Sequence, residues 1–121
     1  MIEQKIYQTL SSHAGTSALV ATRTYPVVLP QGVEFPALTY QVTSEDPEHT
    51  LDGYSGLSAY RVQIDCWSEG YMESKTLAAE VRAAMEASTL FESLRGTCRD
   101  LYENTTHLHR HLLDFEIWAN E

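Results

Sequence analysis

The residues best equipped for chemistry are the three histidines of "HLHRH", His107, His109 and His111. Residues two apart on a strand share a face, and neutral imidazoles are common transition-metal ligands. Their bases would stand roughly 6.5 to 7 Å apart, too spread for three to meet one ion, and no fourth ligand is evident. The same row continues through Leu113, Phe115 and Ile117, so the histidines are expected where a core face runs out to the wet end of a hairpin. A rival reading, a small metal-dependent hydrolase joining this strand to Asp114 or Glu116, predicts a concave pocket holding an ion.

The other reactive groups are weaker candidates. Asp65, Asp100, Asp114 and Glu116 could supply a carboxylate pair, which needs two carboxyls about 5 to 9.5 Å apart in different environments. Nothing in the sequence makes them converge, and Asp114 and Glu116 are expected to line a solvated or subunit-facing surface. Cys66 falls inside an apolar strand pattern and is expected to pack as a small hydrophobe. Cys98 follows Gly96-Thr97 and could be partly exposed, without the neighbours that activate a nucleophile. No CxxC, GxSxG, HExxH, calcium loop or glycine-rich phosphate loop is present. No catalytic group, cofactor or metal is therefore expected.

The elements that would position these residues are legible from periodicity. Ile2, Ile6 and Leu10 form one helical stripe, with Gly15 suited to a left-handed cap, and "TSALV" can add a turn of helix. "TRTYPVVLPQGVEFP" carries three of the four prolines and reads as extended and irregular. Leu38, Tyr40 and Val42 alternate as a strand buried on one face. "SEDPEHTLDGYSG", Ser44 to Gly56, reads as a long projecting loop. From Leu57 to Trp67, Tyr60, Val62, Ile64 and Cys66 make one face and Arg61, Gln63, Asp65 and Trp67 the other, Arg61 and Asp65 meeting neighbours or solvent. A second helix is expected from an N-cap at Ser68, with Ser74, Leu77, Ala78, Val81, Ala84 and Met85 inward. Two strands then flank a turn at residues 103–106, the last ending at Trp118. The expected fold is a single α+β domain over residues 1–121: a mostly antiparallel sheet of four to five strands with two main helices on one face.

The bulk numbers narrow the function further. A chain of 121 residues fits one domain, and 43% hydrophobic with 10% aromatic residues is ordinary for a globular protein. Neither a run of about 18 apolar residues nor a basic-then-apolar start is seen, so the chain is expected to be soluble, unexported and without a membrane partner. Eight Lys and Arg against 17 Asp and Glu give a net charge of −9, with the cations scattered singly, which argues against specific nucleic acid binding. Trp67 and Trp118 both fall opposite their strand's main hydrophobic row; aromatic residues there more often rest under a loop or a terminal segment, and a subunit interface, where Trp and Tyr are enriched, is the other reading.

Three stretches carry a resemblance to a known family: "TRTYPVVLPQGVEFPALTYQV", "HTLDGYSGLSAYRVQIDCW" and the closing "HLHRHLLDFEIWANE". Together they resemble the phage tail completion proteins, similar to the tail terminator and tail-to-head joining proteins of long-tailed phages. The run from Leu51 to Trp67 is the specific part, and "STLFESLRGTCRDLYENTT" is the least similar. The resemblance implies a structural virion protein with no turnover. Such a protein would form a ring, usually hexameric, cap the tail tube, stop tail polymerisation and join the tail to a head connector or stopper protein. Its partners would be further copies of itself, the tail tube protein and the connector. It would reside at the tail-head junction of the virion after assembly in the host cytoplasm. Another neck or minor tail role differs only in partner. The residues expected to meet copies or partners are Leu51, Asp52, Tyr54, Trp67 and Trp118.

Overall fold

A computed structural model of the chain describes residues 1–50 and 53–120. The stripe Ile2, Ile6 and Leu10 winds into α1 (Ile2–Ser12), each side chain at most 4% exposed. The chain breaks at His13, whose backbone is extended, and resumes as α2 (Ala14–Val20). Gly15 is thus inside α2 and not a left-handed cap. A Cβ there would stand 1.8 Å from Glu80 Oε2, the oxygen that lies 3.1 Å from His13 Nε2, so a larger residue would push the Glu80 carboxylate aside.

The sheet has five strands in the order β1-β2-β3-β5-β4, that is β1 (Thr24–Pro26), β2 (Ala37–Thr50), β3 (Gly53–Ser68), β4 (Glu92–Glu103) and β5 (Leu108–Asn120). All neighbours are antiparallel except β1, which runs parallel to β2 over Leu38–Tyr40. The alternation of β3 is realised as read: Tyr60, Val62, Ile64 and Cys66 are at most 1% exposed, facing the helices. From β5, Leu113, Phe115 and Ile117 join them. The architecture is the α+β one expected, with three helices over one face of an open, mostly antiparallel sheet.

α3 (Tyr71–Ala87) buries Ser74, Leu77, Ala78, Val81, Ala84 and Met85, the inward face read from the spacing. Its N-cap is Gly70 instead of Ser68. Ser68 nevertheless serves the helix start: its Oγ accepts the Gly70 N–H at 3.1 Å and donates to Glu73 Oε1. This ties the end of β3 to the first turn of α3 and satisfies a backbone donor that the helix leaves free.

The largest difference from the sequence reading lies at residues 44–56. Residues 44–50 and 53–56 are strand and not a projecting loop. β2 and β3 continue as a hairpin arm, paired as far as Thr50 and Gly53, with irregularities between Val42 and Ser44 and between Pro47 and His49. Exposed Glu45, Asp46 and Pro47 have no apolar alternation, because this part of the arm is solvated where a half-buried strand would show a pattern.

Candidate interaction surfaces

Two clusters bring the reactive side chains together, one on each face of the sheet. On the helix face, His111 of β5 is 3% exposed beneath α3. Its Nδ1 meets Asp100 Oδ1, and its Nε2 lies 3.2 Å from Arg82 Nη2. A guanidinium can only donate, so Nε2 is the acceptor and the ring proton sits on Nδ1, given to Asp100. Both imidazole nitrogens are thereby occupied, and neither can take a proton from a substrate. Arg82 Nη2 also donates toward Cys98 Sγ at 3.4 Å. His111 is a clamp between α3, β4 and β5.

The other two histidines of the motif go elsewhere. His107 has φ 59° and precedes β5; its Nδ1 is 3.1 Å from Tyr102 Oη. His109 packs against the rings of Tyr102 at 4.8 Å and Tyr71 at 5.6 Å. A row of three histidines on one strand face is therefore not formed, because the positive φ turns His107 out of the strand. Among the described residues, no group of three His, Cys, Asp or Glu side chains is placed to hold a metal ion.

Asp100 is the hub of this cluster's rim. It accepts from Lys75 Nζ at 2.8 Å and Tyr71 Oη at 3.1 Å besides His111. Lys75 first, with His111 and Tyr71 adding to it, holds its carboxyl down at about 2. A carboxyl whose folded value is depressed stabilises the fold above its unfolded value and loses that contribution as pH falls toward the folded one. Asp100→Asn is expected to lower the urea midpoint at pH 7, with the gap to wild type closing as pH drops from about 4 to 2. The neutral-pH loss stays below about 1 kcal/mol, since water screens a pair this open. A gap unchanged at pH 2 would refute the assignment.

On the opposite face, Asp65 was expected to meet neighbours or solvent, and the structure corrects this. Asp65 is 6% exposed. Its Oδ2 accepts from Arg110 Nη2 at 2.8 Å, and Gln63 Nε2 donates to both its oxygens at 3.1 and 3.2 Å. The Arg110 guanidinium lies 4.8 Å over the Trp67 ring, and Trp67 Nε1 donates to Thr39 Oγ1 at 3.0 Å. The burial comes from three strands closing over the carboxylate, which the local sequence of β3 could not reveal.

Trp67 also forms part of an apolar cavity of about 550 Å³. The segment after β1 supplies Val27, Val28, Leu29 and Phe35, and Leu108 completes it. Val27 has φ 64°, and Val27 and Val28 are 57% and 69% exposed. Trp118 sits on the same face, opposite Ala59 and Glu92 across its neighbouring strands. Both tryptophans are half-buried. Leu51 and Asp52 lie outside the described residues, and Tyr54 is described only by its backbone, opposite His49. Cys66 is packed inside as expected, and burial pushes its thiol up.

No described helix is long and apolar enough to cross a membrane. The family model for tail completion protein gp17 matches residues 4–120. The chain therefore belongs to the tail completion protein gp17 family, and it is a structural protein of phage tails. Its fold is shared with a chain from the solved virion of a native gene transfer agent particle, at TM-score 0.72 and 20% identity, covering 96% of this chain and 92% of that one. No curated protein matches the sequence.

Proposed function

We propose that the protein assembles into a ring, usually of six copies, on the finished end of the tail tube, where it terminates polymerisation and joins the tail to the head connector or stopper protein. The observation that carries this reading is the family match over residues 4–120. The reading is supported by the reactive side chains, which are engaged in packing and pairing within the fold. His111 has both nitrogens engaged, Asp65 is paired with Arg110, and Cys66 is sealed in the core. The rival hydrolase needs the histidine strand and Asp114 or Glu116 around one pocket, and that arrangement is not formed.

Contact with neighbouring copies or with the tail falls to the hairpin arm and to the sheet face bearing Trp67 and Trp118. Tyr54 lies on the arm in β3, and Leu51 and Asp52 fall outside the described residues. An arm of paired strands presents its side chains at fixed spacing, so it can seat on a repeating tube end with little ordering cost. Tail and connector are different surfaces, and a ring stacked between them must offer different contacts above and below.

The decisive experiment is infection with a null mutant. Tails of uncontrolled length, unjoined to heads, are expected in electron micrographs of the lysate. Supplying wild-type protein restores joined particles, whereas Trp67→Ala combined with Trp118→Ala is soluble but restores few. Normal virions from the null mutant would end the proposal.

A further inference from the structure

We infer that the two open edges of the sheet join copies head to tail: β4 of one copy lies antiparallel against residues 41–47 of β2 of the next, so that the sheet runs on from subunit to subunit. The inference rests on the ring reading above and names the surface that would build the ring.

Four observations lead to it. β4 is a 12-residue edge strand. At the other edge, β1 covers only Leu38–Tyr40, so among the described residues no strand lies on β2 from Gln41 onward. Sheet edges present unpaired N–H and C=O groups, and proteins blunt them with prolines, charged side chains, bulges or covering segments; here β4 has one bulge, between Arg95 and Cys98, and the β2 edge has one after Val42 and is free of proline only up to Asp46. β4 has neither proline nor lysine, and it exposes Leu94 at 59% and Leu101 at 44%. Such an edge is a template for another strand.

Direction is the second observation. β2, β3, β5 and β4 alternate strictly up and down. An even number of alternating strands leaves β2 and β4 opposed in direction. When copies repeat edge to edge, β4 therefore meets the next β2 antiparallel, the slightly more stable pairing.

Charge is the third. Copies with a net charge of −9 repel, so a contact between them needs local complementarity. Exposed Arg95 and Arg99 lie on β4, and exposed Glu45 and Asp46 on β2. Arg95 stands opposite Phe115 and Glu45 opposite Tyr60, both toward the helices. Arg99 stands opposite Leu112 and Asp46 opposite Ala59, both on the other face. Each face of the join thus sets one β4 arginine toward one β2 carboxylate, beside β4's own acids: Asp100, held by Lys75, on the helix face and Glu92, opposite Trp118, on the other. Within its own copy Arg95 pairs only loosely, with the exposed Glu86 of α3 at 4.0 Å.

The fourth is symmetry. The two edges are different surfaces, which makes the contact heterologous, and such contacts generate rings when the rotation closes.

The test uses complementation of the null infection, with protein retained on purified tails measured by quantitative immunoblot. Arg95→Glu with Arg99→Glu, and separately Glu45→Lys with Asp46→Lys, are each expected to lower retention at least about tenfold, the scale of lost interfacial charge pairs. All four substitutions combined restore it to within about twofold, and circular dichroism melts stay unchanged because the four side chains are exposed. In wild type, amide exchange over 92–103 and 41–47 slows on tail binding. Retention unaffected by either pair, loss with the β4 pair alone, or no rescue by the combination would each overturn the edge-to-edge join while leaving the ring reading intact. Wild-type protein that is not retained on tails at all would overturn the ring reading instead.

Discussion

Arg110→Met is expected to destabilise the protein by about 3 to 5 kcal/mol, the scale of a buried ion pair that loses one partner. Methionine keeps much of the length and apolar bulk that lies over Trp67, so the change isolates the charge. The reason for so large an effect is Asp65, 6% exposed on the sheet's outer face, which would be left with only Gln63 and Thr39 as donors. Adding Asp65→Asn should recover most of the loss, because a neutral amide is far less costly to bury unpaired than a carboxylate. Urea denaturation at pH 7 of the two single variants and the double measures this directly. A cost below about 1 kcal/mol for Arg110→Met would place the pair with ordinary surface bridges and refute the burial argument.

Leu77→Ala is expected to cost about 3 kcal/mol, combining lost transfer free energy with the cavity left behind. Leu77 is fully buried on the inward face of α3, with Ser74 and Val81 one turn away on either side, in a core whose rows are fixed by the sheet beneath. For a domain of this size the melting temperature should fall by roughly 10 °C. The exposed Met72 on the same helix is the control: Met72→Ala should leave the melt within about 1 °C. Equal effects at the two positions would mean that α3 is not packed as described.

These two predictions differ in how far they could be read from the chain. The inward face of α3, and with it Leu77, follows from local spacing, since a period near 3.6 must turn one stripe toward the sheet. The same holds for α1 and for the core row of β3. The Asp65–Arg110 pair joins residues 45 positions apart, and the His111–Arg82 contact spans 29. Neither separation leaves a periodic trace. The hairpin arm escaped recognition for a related reason: its exposed residues carry no apolar alternation, and turn-forming residues such as Pro47 and Gly53 read as a loop.

By itself, the sequence determined which stripes are buried, that the sheet is mostly antiparallel with helices on one face, and that no recognised catalytic motif is present. It also carried the family resemblance. Only the tertiary structure decided the strand order β1-β2-β3-β5-β4, and with it which edges stay open, which charges are buried and where each histidine goes. The physical reason is that solvent sorts polar from apolar residues along a single element, leaving a local pattern. Strand pairing, by contrast, is chosen among distant segments whose hydrogen bonds are chemically alike.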